Sequence, residues 1–171
     1  MRHFGLFSII FVLLFSSGAS QARRGERLVL EPNTMAELTA LLSSGDALHS
    51  ALQKQDDEQI DANLRDIEIA TKRTMATSAR LKVHDRQHLM KVLEAIESSV
   101  GVARNSGHSD RRDRIADIFN MMANLVRVYG VDTSFKIFFC GRDKVTWIQR
   151  KPAGQYPFVE SADRNCALRA P

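Results

Sequence analysis

Apolar residues recur every three or four positions along four separate stretches of this 171-residue chain, and this restricts its fold more than any other feature. The first stripe is Leu38, Leu41, Leu42, Leu48 or His49, and Leu52. Ile60, Leu64, Ile67, Thr71 and Met75 make the second, and Leu89, Val92, Leu93, Ile96, Val100 and Ala103 the third. The fourth is the widest, with Ile115, Ile118, Phe119, Met122, Leu125, Val126 and Tyr129. Such spacing puts the side chains on one face of an α-helix. None of the four helices hides its stripe alone, and the connections are short. The expected fold is mainly α, an antiparallel up-and-down four-helix bundle.

Helix punctuation supports these limits. Thr34 with Glu37, and Asp56 with Gln59, have the spacing of capping boxes, in which side chains satisfy the free N–H groups of a first turn. Gly45 interrupts the first stripe and allows a break there. Between Lys72 and Arg80 the pattern weakens and no residue marks the turn. Asn105, Ser106 and Gly107 close the third helix, Ser109 or Asp110 opens the fourth, and Gly130 stops it.

Past Gly130 the period changes from helical to alternating. Phe135–Cys140 and Val145–Gln149 are expected to form a short β-hairpin around Gly141–Lys144. From Arg150 onward Pro152, Gly154 and Pro157 imply an ordered loop at most. The domain plan is then a single helical-bundle domain over 34–171, with helices in 34–130 and the hairpin and tail in 131–171, preceded by a lead-in at 23–33.

Residues 1–22 have the three parts of a secretory signal peptide. Arg2 and His3 come first, an apolar run from Phe4 to Phe15 follows, and Ser20 and Ala22 present small side chains at the cleavage positions. Ala19 with Ser17 is an alternative cut. No later run is apolar enough to cross a bilayer, so no membrane span is expected after cleavage, and the mature protein is expected to be periplasmic or secreted. The net charge of +4 comes from Lys and Arg scattered among acids rather than gathered in a basic stripe, which argues against a nucleic-acid partner.

Chemistry is sparse. There is no phosphate-cradling Gly-rich loop, no nucleophile elbow and no haem-attachment motif, so a non-enzymatic role is expected. Cys140 and Cys166 are the two cysteines. In an exported protein they suit a disulfide, and the same pair could instead supply thiolate ligands to copper or zinc. His84 and His88, four apart, share a helix side and could chelate a metal ion, or simply occupy a helix surface. His49 on the first stripe suits either a hydrogen-bonded core position or a ligand. Met75, Met90, Met121 and Met122 offer thioethers for monovalent copper, although methionine also fills gaps in cores.

The C-terminal quarter resembles an uncharacterised family of exported helical modules, some of them fused to heavy-metal efflux adaptor proteins. The order shared is Val128-Tyr129-Gly130, Phe138-Phe139-Cys140, Val145-Thr146-Trp147, Pro152 or Pro157, and Cys166. The resemblance implies a four-helix body and a tail packed through Trp147 and Phe139. It further implies binding of copper or another heavy metal, with a metal ion or an envelope protein as partner. Gly141 and Arg142 stand where that family carries Pro and Met, and Ala162–Asn165 has no Met before the last cysteine.

Overall fold

The computed structural model describes residues 30–81, 83–131, 134–158, 166 and 168–169, with backbone alone at 83–85, 108, 168 and 169. The expected signal peptide and residues 23–29 of the lead-in lie outside this range. Four helices run Pro32–Lys54 (α1), Asp57–Ser78 (α2), Val83–Asn105 (α3) and His108–Tyr129 (α4). Three strands follow, Lys136–Cys140 (β1), Val145–Gln149 (β2) and Leu168–Arg169 (β3).

Each helix packs on its neighbour in sequence, and the short links between them make the neighbours antiparallel. α1 and α4 barely touch each other, because β2 packs against both and fills the seam. The stripes form the core: Leu38, Leu64, Leu93, Ile118 and Phe119 are all inaccessible to solvent. Among the described residues no helix is long and apolar enough to cross a membrane.

Local chemistry explains most helix ends. Asp56 is an N-cap whose carboxylate accepts the Gln59 N–H at 3.0 Å. Gly130 ends α4 in the left-handed region, at φ 59°, where a side chain would be strained. The Thr34–Glu37 capping box does not form. α1 begins three residues earlier, with Pro32 in its first turn and Glu31 in place of Thr34 as N-cap, which leaves Thr34 inside the helix and fully buried. Proline suits a first turn because its missing N–H would be unpaired there in any case. α4 likewise starts at His108, just ahead of the residues expected to open it.

Gly45 does not break α1. A β-carbon at this position would run into Met122 Sδ of α4 and lie 3.6 Å from Ile148 Cδ1 of β2. The residue is small because helix, helix and strand converge on it.

β1 and β2 pair antiparallel with Phe138 opposite Trp147 and Cys140 opposite Val145. The tail is more than a loop, since β3 adds to the other edge of β1 with Phe139 opposite Leu168, giving the order β2-β1-β3. The outer edge of β2 is closed by helix side chains. Asn120 of α4 accepts the Thr146 N–H at 2.7 Å, and Asp46 of α1 accepts the Arg150 N–H at 3.0 Å. Edge strands with open N–H groups invite foreign pairing, and these two contacts occupy the Thr146 and Arg150 N–H groups on that side.

Candidate functional site

Among the described residues, two regions bring together side chains able to do chemistry. The first is the hairpin turn. Cys140, at the end of β1, is fully buried and pairs with Cys166 as a disulfide, with Cα atoms 4.9 Å apart. The Asp143 N–H points at Cys140 Sγ from 3.4 Å. One carboxylate oxygen of Asp143 and the two sulfurs all lie within 4.8 Å of one another.

Asp143 is already engaged. Arg142 Nε donates to Oδ1 at 3.0 Å, the Tyr156 hydroxyl donates to Oδ2 at 2.5 Å, and Arg112 of α4 lies 3.7 Å from Oδ2. The hydrogen bond from Arg142, followed by that from Tyr156, holds the Asp143 carboxyl below the usual carboxylate range. Burial, then the neighbouring carboxylate, pushes the Tyr156 phenol up. Arg112 also stacks over the Phe158 ring at 4.9 Å, so α4 holds both the turn and the returning chain. Two guanidinium groups beside these three atoms make the spot hostile to a cation.

Among the described side chains, none of the other expected metal ligands joins this group. His88 is exposed on α3, and its Nδ1 lies 2.8 Å from the Tyr129 hydroxyl. His84 belongs to α3, with its side chain outside the described part. His49 lies on α1 and bonds elsewhere. Met122 is core, and Met75 and Met121 pack against that core from its edge. Trp147 is fully buried, stacks on Phe138 at 5.8 Å and meets Tyr156 edge-on at 5.6 Å. Phe139 alternates to the outside of β1 and is exposed.

The second region is a cleft of about 410 Å³ between α1 and the segment after β2. Its architecture depends on Gln149, whose buried side chain uses both ends. Oε1 accepts Trp147 Nε1–H at 3.0 Å and the Gln155 N–H at 3.1 Å, while Nε2 donates to the carbonyls of Lys151 at 2.9 Å and Ala153 at 2.6 Å. One amide thus folds residues 149–155 around itself. α1 then holds the segment through His49 Nε2, 2.7 Å from the Gln155 carbonyl, and through Gln53 Nε2, which donates to the Tyr156 carbonyl. Replacing Gln149 by Met keeps the volume but leaves the partners of four hydrogen bonds to find others. We expect a loss of about 1–3 kcal/mol in urea titrations, together with faster hydrogen exchange at Gln155.

His49 is buried to 3% exposure, and its ring meets Phe119 edge-on at 6.5 Å. A carbonyl can only accept, so Nε2 carries the proton in the neutral ring and Nδ1 is the nitrogen that titrates. Burial lowers the His49 pKa below its ordinary 6.5 and outweighs the hydrogen bond to Gln155 and the Asp46 charge, which raise it. Below that ordinary value the unfolded chain therefore takes up a proton that the folded one resists, and stability falls as pH drops. Thermal melts should show this decline beginning near the ordinary value of 6.5, and it should flatten in His49→Gln, which retains a donor for Gln155.

Comparison with known proteins gives no match, whether to a family model, a curated protein or a solved structure. Sequence reasoning singled out Cys140, Cys166 and His49 but missed Asp143, Arg112, Tyr156 and Gln149. For Gln149 a signal did exist: along Val145, Trp147 and Gln149, the inward positions of an alternating strand, a polar residue takes the third place.

Proposed function

We propose that this chain is an exported, non-enzymatic binding module of the cell envelope, stapled by Cys140–Cys166 and acting through contact with a partner rather than through a metal ion. One observation carries the choice. Asp143, the carboxylate best placed to complete a site with the two sulfurs, is committed to Arg142, Tyr156 and Arg112. The group is thereby organised to lock the hairpin turn, the returning chain and α4 together. Alkylation of the protein as isolated from the exported fraction without reductant, followed by peptide mass spectrometry, tests this. A 140–166 linked peptide is expected, with no thiol alkylated and no stoichiometric metal.

A second reading, soft-metal handling, is favoured by the closeness of Cys140, Asp143 and Cys166 and by the family resemblance of the C-terminal segment. It requires both cysteines in the reduced form, because thiolates are the ligands. Two alkylatable thiols that stoichiometric copper or zinc protects would support this reading and overturn the first.

A further inference from the structure

We propose that the cleft between α1 and residues 149–155 is a binding site for a small dianion, a molecule carrying carboxylate or tetrahedral oxyanion groups. This goes beyond the stapled-module reading and does not depend on the state of the cysteines. Three observations support it.

The first is the form of the cleft. Its volume, about 410 Å³, falls within the range of small-molecule sites. One wall is a stripe of α1 with Asp46, His49, Ser50, Gln53 and Lys54 at helical spacing, and the other is the segment that Gln149 holds in shape. Both walls are fixed before any ligand arrives, so little ordering is needed on binding.

The second is its charge. Lys54 of α1 and Lys151 of the facing segment both line the cleft, and neither has an ion-pair partner among the described residues. Asp46, whose carboxylate accepts the Arg150 N–H, supplies the one negative charge of the lining, against the two positive ones. Two unpaired ammonium groups favour an anion and oppose a metal ion at His49.

The third is His49 itself. Its ring is almost wholly buried yet lines the cleft, and among the described residues only Nε2 has a hydrogen-bond partner. Nδ1 is left to a ligand. The charged groups in reach of the ring are Asp46 on its own helix and Lys151 on the facing segment, while α4 contributes the uncharged Phe119. A bound dianion favours the protonated ring, so binding takes up a proton and affinity rises as the pH falls.

Titration of the whole mature chain with succinate and with sodium sulfate, followed by calorimetry and amide shifts, tests the proposal, with glucose as a neutral probe. Saturable shifts confined to residues 46–54 and 149–155 are expected. Lys54→Gln and Lys151→Gln should each weaken binding by about tenfold, and Lys91→Gln on exposed α3 should leave it unchanged. Sulfate stays doubly charged across the neutral range, so tighter sulfate binding on acidification reports His49, and His49→Gln should remove that dependence. Succinate binding without sulfate would assign the ligand to the carboxylates, and the reverse to tetrahedral oxyanions; either supports the site. Absence of saturation for both anions overturns it. So do shifts scattered over the surface, an equal response to glucose, or equal losses in Lys91→Gln.

Discussion

Phe119→Ala should destabilise the protein by about 3–5 kcal/mol, the range for emptying a fully buried aromatic position. Phe119 has no accessible surface and sits on α4, the helix that packs against both α3 and β2. Its ring also backs His49, so the cavity would open where the bundle meets the cleft. Relaxation into that space is limited because the neighbouring side chains are held by their own helices. Urea unfolding should show a lower midpoint with an unchanged slope, since the surface exposed on unfolding hardly changes. Ile69→Ala, at an exposed position on α2, provides the contrast and should stay within about 0.5 kcal/mol of the parent. Similar small losses for both would mean that Phe119 does not face the core.

The helical body was legible because its signals are local and repeated. A stripe such as Leu89, Leu93, Ile96 and Val100 states its own buried face, and Asp56 and Gly130 mark boundaries through backbone chemistry within a few residues. Local signals misled where two competed. At the start of α1, Pro32 and the Thr34–Glu37 pair both describe a helix entrance, and Pro32 prevails, with Thr34 inside the helix and buried. The break at Gly45 was a similar ambiguity, since glycine can mark either a bend or a close approach. Only the arrival of Met122 and Ile148, far away in sequence, distinguishes them.

The sites were less legible, since each is assembled from distant segments. Asp143 appears in the sequence as a turn residue, and nothing near it announces Arg112 or Tyr156. Likewise, Asp46, His49 and Lys54 form one side of a cleft whose other side begins about a hundred residues later. The strand β3 escaped notice because two residues carry no periodicity, and their pairing with β1 depends on where Cys166 brings the tail.

Removing that tie should have the second large effect, and the two cysteines should differ in it. The bridge spans 26 residues, for which chain-entropy reasoning gives about 3–4 kcal/mol. Cys166 is half-buried, so Cys166→Ser should lose about that amount and little more. Cys140 is fully buried at the end of β1, so Cys140→Ser also places a hydroxyl in an apolar setting and should lose a further 1 kcal/mol or so. The double variant should resemble Cys140→Ser rather than the sum, because both single changes cut the same bond. The losses should be local in structure. With only the Phe138–Arg169 and Phe139–Leu168 pairings left to hold it, β3 should detach, and hydrogen exchange should rise along β1. The stripes of α1 to α4 contain neither cysteine, so far-UV helicity should be retained. Unreduced Cys166→Ser as stable as the parent, with β1 equally protected, would show that the tail holds itself in place and that the bridge contributes nothing to the fold.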